Sequence, residues 1–292
     1  MKQALKIVVL AKQVPDTRNV GKDAMTAEGT VNRAALPAIF NPEDLNALEA
    51  ALSIKETLEG STLYVLTMGP PRAAEIIRES MFRGADGGYL LTDRKFAGSD
   101  TLATSYALSC ALRKIGADVI VAGRQAIDGD TAQVGPQVAE KMNLPQVTYA
   151  EEILAATPTS LTIKRRLEHG TEVVEAPIPL VVTVNGSAAD CRPRNAKRVM
   201  KYKYALTPSE IAADSESLSA QMASSREYLQ IFEWGAADVD PDEAQLGLLG
   251  SPTKVKAIQN VVFQAKESKA LTASNEDIES LMVELIESHT LG

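Results

Sequence analysis

Aromatic residues are scarce in this sequence, and so are the side chains that most often perform chemistry. Phe, Trp and Tyr make up 4% of 292 residues, with a single Trp. That is too little for a platform that stacks single-stranded nucleic acid. Positive charge is also in deficit. The 30 Lys and Arg residues face 38 Asp and Glu, for a formal charge of −8, which argues against general polyanion binding. Only two cysteines occur, Cys110 and Cys191, with no CxxC and no Cys/His pair. A zinc or iron–sulfur site is therefore not expected, and both read as free thiols. Nothing here suggests an oxidising compartment. His169 and His289 have no Ser or Cys partner nearby in sequence and read as solvated side chains. The first apolar run, Ile7 to Ala11, is too short for a signal-peptide core, and no stretch is long enough to span a membrane. A cytoplasmic protein is expected. GxGxxG and GxxxxGK[ST] are both missing, so a nucleotide site would need another scheme.

What is present is a regular alternation. The chain is 45% hydrophobic, enough for a real core. Four short apolar segments, "KIVVLA" (6–11), "TLYVLTM" (62–68), "GYLLT" (88–92) and "DVIVAG" (118–123), read as buried parallel strands. Helical patterns follow each. "NPEDLNALEAALSIKETLE" places Leu45, Leu48, Leu52 and Leu58 on one stripe, with Asn41 as N-cap and Pro42 at the first helical position. Glu43 and Asp44 suit the positive end of its dipole. The helices ending at Gly84 and Gly116, and "TAQVGPQVAEKMN" after the fourth strand, complete a doubly wound α/β order.

From residue 147 the pattern alternates, and "LTIKRRLEHGTEVVEAP" predicts a hairpin. A run without acids follows, carrying Arg192, Arg194, Lys197, Arg198, Lys201 and Lys203. It suits an acidic protein partner or a solvated face better than nucleic acid. Residues 1–212 read as the α/β domain. Residues 213–292 read as a polar C-terminal arm that ends in a capped amphipathic helix with Ile278, Leu281, Met282, Leu285 and Ile286 on one face.

Ligands of open α/β sheets sit at the carboxyl ends of the strands. The loop "GRQAIDGDTAQ" after the fourth strand lies at such an end. On residues alone, Asp128-Gly129-Asp130 reads first as a turn, with Asp130 or Thr131 capping the next helix and Gly129 free to take positive φ. A phosphate loop built on N–H groups of that helix start is the second reading.

Several motifs then coincide. "VVLAKQVPDT", "NPEDLNALEAAL", "LTMGPP", "GRQAIDGDTAQVGPQ", "APIPLVVTV" and "GSPTKV" occur in an order that resembles the β subunit of electron transfer flavoproteins over nearly the whole chain. The loop motif is the specific one; the 256–292 end is less typical. The resemblance implies a Rossmann-like parallel sheet of the adenine nucleotide α-hydrolase type, with a small antiparallel addition. It implies a partner α subunit with its own FAD, contacted by the arm. It also implies a nucleotide site at Leu10, Ala11, Lys12, Asn41, Met68, Gly69, Val121, Gly123, Arg124, Gln125, Asp128, Gly129, Asp130, Thr131, Ala132, Gln133, Val134 and Gly135.

In the conventional branch that site holds structural AMP. In the electron-bifurcating branch it holds a second FAD, which takes electrons from NADH. One electron then goes to ferredoxin or flavodoxin, and the other goes through the α-subunit flavin to an acyl-CoA dehydrogenase-type partner. Glycine at 129 resembles the FAD branch, and Arg124 is the expected ring-tuning side chain. The stretch "VNGSAADCRPR" aligns with the family's partner-recognition loop. Ala188 stands there near the place of an anchoring leucine, so docking is expected to lean on Arg192, Arg194 and Lys197. A non-redox nucleotide-binding protein on the same fold is the alternative of another class.

Overall fold

A computed structural model describes residues 4–16, 37–253 and 270–288. His289 lies outside the described residues. The chain divides into two compact units, Met1–Lys256 and Ala257–Gly292.

The four apolar runs form β1 (Lys6–Leu10), β4 (Thr62–Met68), β5 (Gly87–Leu91) and β6 (Val119–Gly123). They are joined by β7 (Gln146–Ala156), β8 (Ser160–Leu167), β9 (Gly170–Pro177), β10 (Leu180–Val184) and β11 (Phe232–Trp234). The nine-stranded sheet has the order β11-β5-β4-β1-β6-β10-β7-β8-β9. Strands from β11 to β7 run parallel; β8 and β9 form the antiparallel hairpin, with His169 exposed at its turn. β10 inserts between β6 and β7, so the region after residue 147 first widens the parallel sheet before it turns antiparallel. Every residue of β10 is buried, as a strand covered on both faces requires. A small antiparallel ribbon pairs β2 (Gln13–Pro15) with β3 (Ala38–Phe40).

Helices cover both faces. α1 (Pro42–Thr57) and α2 (Ala74–Arg83) bury Leu48, Leu52, Ile54 and Ile77 in a cluster with Ile7, Val9 and Val65. α3 (Thr101–Ile115) and α4 (Val134–Met142) bury Leu108, Leu112 and Val138 in a second cluster with Val8, Leu66 and Ile120. Alternate residues of β1 therefore serve opposite cores, as the strand period of two dictates. α3 stops where Gly116 adopts a left-handed φ of 71° and returns its N–H to Leu112 O.

After β10 come α5 (Ala196–Tyr202) and α6 (Pro208–Ala213), and beyond residue 212 the chain adds α7 (Leu218–Ser225), β11 and α8 (Ala236–Val239) to the first unit. Aromatic contacts fix β11 on the sheet edge. Phe232 stacks on Tyr89 with centroids 4.8 Å apart, and Trp234 lies 4.6 Å from the same ring. In the second unit, α9 (Asn275–Glu287) starts at Ser274, whose hydroxyl accepts from Asp277 N. The Asp277 carboxylate accepts from the N–H and hydroxyl of Thr272, two residues before the Ser274 N–H that a reciprocal capping box would use. Ile278, Met282 and Ile286 on its apolar face are about half exposed (51%, 44% and 55%). Among the described residues, no helix is long and apolar enough to cross a membrane.

Candidate functional site

The sheet order reverses between β1 and β6. Successive strands run outward from β1 to β4 and β5, and then the chain returns to the other side of β1 as β6. This switch point leaves a crevice at the carboxyl ends of β1 and β6. The segments expected to bind a ligand meet there: 10–12 after β1, the start of α1, and the loop 123–133 after β6.

The start of α1 is the fastener. Asp44 is buried, and its carboxylate accepts from Lys12 N at 2.8 Å and from Gly123 N at 3.1 Å, tying the ends of both central strands together. Burial pushes its pKa up to about 7, against the downward pull of those hydrogen bonds and of Lys12. Glu43 accepts from Arg124 Nη2 at 2.9 Å and from Gln125 N at 2.9 Å. These two acids suit the helix dipole, as the sequence suggests, yet their main partners are loops far away in sequence. Nothing in local pattern marks those partners.

Asn41 departs from its expected role. It occupies the N-cap position of α1, but its side chain makes no cap hydrogen bond. Its amide grips the loop instead: Nδ2 donates to Gln125 O at 2.9 Å, and Oδ1 accepts from Ile127 N at 3.1 Å. Both bonds shape the loop main chain, and Asn41 is fully buried while making them.

The helix-capping expectation for Asp130 and Thr131 also fails. α4 begins only at Val134, and Gln133 stands at its N-cap without a side-chain cap bond. Asp130 accepts from Gln125 Nε2, and its N–H closes a turn on Ala126 O at 2.9 Å. Positive φ falls on Asp130 (51°) and Ala132 (52°), not on Gly129. The result is a run of uncommitted donors. Among the described residues, the N–H groups of Thr131, Ala132, Gln133, Val134 and Gly135 reach no acceptor. Successive free amides at a helix start form an anion cradle without any cation.

Two glycines let the walls close. A Cβ on Gly123 would lie 2.4 Å from Asp44 Oδ1 and 2.8 Å from Asp44 N, and one on Gly135 would lie 2.5 Å from the Thr183 methyl. A Cβ on Gly129 would meet nothing within 4 Å, so a side chain there would project into open space beside the loop.

The cations near the mouth are already paired. Lys12 Nζ bonds both carboxylate oxygens of Asp128, at 2.7 and 2.9 Å. Arg124 is held by Glu43, which raises the guanidinium's affinity for its proton. Leu10, Ala11, Val121 and Gly123 are buried at the strand ends. Met68 and Gly69 end β4 on the same side, with Gly69 N donating to Leu91 O at 3.1 Å. The Gln133 side chain accepts from Thr101 at the start of α3.

Of the residues expected to meet a partner, Ala188 and Arg192 lie along the flank of α1. Asn46 donates to Ala188 O at 3.2 Å and to Ala189 O at 2.9 Å. Arg192 is braced by Glu49 and Glu56, whose carboxyls its guanidinium holds below their usual range. Arg194 pairs loosely with Glu79 at 3.3 Å, and Lys197 is exposed.

A doubly wound sheet with an amide-lined crevice at its switch point is the architecture of nucleotide-binding α/β proteins. Comparison narrows the class. The family described as "Electron transfer flavoprotein domain" matches residues 28–206. The β subunit of an electron transfer flavoprotein from Clostridium acetobutylicum is 43% identical over 252 residues, covering 86% of each chain. A protein from Acetobacterium woodii, "Caffeyl-CoA reductase-Etf complex subunit CarD", is 38% identical over 98% of this chain and all of its own length. "Acryloyl-CoA reductase electron transfer subunit gamma" of Anaerotignum propionicum is 49% identical over 61% of this chain and 67% of its own. The chain belongs to the electron transfer flavoprotein family, as a homologue of its β subunits.

Proposed function

We propose that the chain pairs with an α subunit carrying its own FAD and binds a second FAD in the crevice between β1 and β6. Electrons enter from NADH. They leave to a ferredoxin or flavodoxin and, through the α-subunit flavin, to an acyl-CoA dehydrogenase-type flavoenzyme. The observation that carries this reading is the row of acceptor-free N–H groups from Thr131 to Gly135 at the switch point. A pyrophosphate satisfies such a row, and Gly129 leaves clear the space beside it that a longer ligand than AMP needs. Relatives whose names place them with caffeyl-CoA and acryloyl-CoA reductases support an acyl-CoA-directed partner.

Bound FAD supplies uptake of an electron pair and release of single electrons. The chain's own residues supply position. Amides 131–135 hold phosphate, Asn41 and Glu43 fix the loop that carries them, and Arg124, steadied by Glu43, bears on the ring. Arg194 and Lys197 give the partner loop its positive face, while Arg192 acts as the brace beneath it. The exposed apolar face of α9 takes the α subunit.

The test is to purify the α/β pair, denature it and quantify the released nucleotides. Two FAD per heterodimer are expected. One FAD and one AMP would overturn the reading.

A further inference from the structure

β7 breaks its own period. Val147 and Ala150 both enter the same core cluster, although residues three apart on a regular strand face opposite sides. The extra residue is absorbed at Tyr149, which takes a φ of 58°. The pairing with β10 shifts at this point, between Val182 and Val184. This is a β-bulge, the device that re-aims a side chain at the rim of a sheet.

Tyrosine is a costly residue to place there. Among the described non-glycine residues with positive φ, Asp130, Asn143 and Asp240 are of the type that tolerates it. A bulky ring is not, and glycine would make the same bulge without strain. The backbone is held in place from three sides. Arg165 grips Thr148 O and Oγ1 at 3.0 Å each, Thr183 Oγ1 accepts Tyr149 N at 3.3 Å, and Asn185 N donates to Ala150 O at 2.9 Å. Thr183 is also the residue whose methyl packs against Gly135 in the first turn of α4. The bulge and the amide cradle thus share a wall.

The strain sets the ring at the carboxyl end of the parallel sheet. Val184 of β10 pairs with Gly123 on one side and Ala150 on the other. Arg124 N donates to Val184 O at 2.8 Å. Tyr149 therefore flanks the same strand end as Arg124, and the residue is 39% exposed.

We propose that Tyr149 is a ligand-contact residue, whose ring forms with Arg124 the surface that receives the planar ring system of a dinucleotide held by its phosphates in the 131–135 cradle. This rests on the FAD reading above. It adds to that reading a residue the loop motif does not contain.

The α/β heterodimer, stripped of nucleotides, tests it by titration with FAD and separately with AMP, which shares the adenosine but has no second ring. Y149A should weaken FAD by on the order of tenfold, the scale of one lost stacking contact. AMP binding should stay within about twofold. Y149F keeps the ring and should restore FAD binding and the quenching of its fluorescence. Y149G should unfold at a higher temperature than Y149A, because it accepts the left-handed backbone. Equal losses of FAD and AMP in Y149A, or no loss of FAD, would overturn the role of Tyr149 while leaving the FAD reading intact. A wild-type heterodimer that prefers AMP over FAD would overturn both.

Discussion

Asp44 holds the amides of Lys12 and Gly123, at the ends of β1 and β6, from a buried place. Its raised pKa gives a direction to pH dependence. A carboxyl that ionises near 7 when folded and near 3.8 when unfolded binds more protons in the folded state across that interval. Its contribution to stability is thus fully present below about pH 4, declines as pH rises toward 7, and stays lost above that. Urea unfolding of the wild type and of Asp44→Asn at pH 5 and pH 8 should show the wild type losing ground to the variant at pH 8. The expected relative shift is about 1–3 kcal/mol. Parallel profiles would mean that the carboxyl does not titrate in this range. Neither the burial nor the two amide partners of Asp44 can be read from "NPED", which shows only acids at a helix start.

At the scale of elements, α1 organises two places at once. Its first turn ties β1, β6 and the loop, while its later turns carry Asn46, Glu49 and Glu56 under the segment 188–192. Gly123 permits the close approach of that first turn. Gly123→Ala would drive a methyl into Asp44 and the α1 main chain, where neither neighbour has a flexible end to move. A loss of about 1–3 kcal/mol of stability is expected. Nucleotide recovered per mole of heterodimer should fall with it, and unchanged recovery would show that the crevice tolerates a wider gap.

The elements themselves were largely legible. Runs such as "TLYVLTM" are apolar throughout because both faces of a parallel strand are covered, and β4 spans those residues. Asn41 misleads for the opposite reason. Its residue type and position fit an N-cap, while its actual partners lie in another segment, 84 and 86 residues away. The donor row at 131–135 was legible only as an option, because Asp130 and Thr131 are good capping residues that the structure does not use as caps. β11 has three residues, too few to show any period. The bulge in β7 is hidden because "QVTYA" alternates acceptably either way.

At the scale of the whole molecule, the second unit presents a helix with one apolar face and an acidic remainder, including Glu276, Glu279, Glu284 and Glu287. Such a face matches an apolar groove rimmed by basic groups. Ile278→Glu with Ile286→Glu should weaken the pairing with the α subunit by tenfold or more, on the order of 1.4 kcal/mol or above. Sedimentation or gel filtration across a dilution series would read this. The fold of the first unit should be unaffected, since both side chains are exposed in the chain as it stands. A heterodimer that survives dilution unchanged would move the α-subunit contact elsewhere.

The crevice joins pieces of chain that are distant in sequence: residues after β1, the start of α1, the loop after β6 and the start of α4. None of these can form the site alone, so an unfolded chain has nothing with which to hold the ligand. Whatever binds there acts as a reversible cross-link between the first and second halves of the sheet. By mass action it adds RT ln(1 + [L]/Kd) to the cost of unfolding, about 4 kcal/mol at a thousandfold excess over Kd. On the FAD reading proposed above, the nucleotide then stabilises the fold as well as serving its chemistry, and the chain stripped of it should melt at a lower temperature.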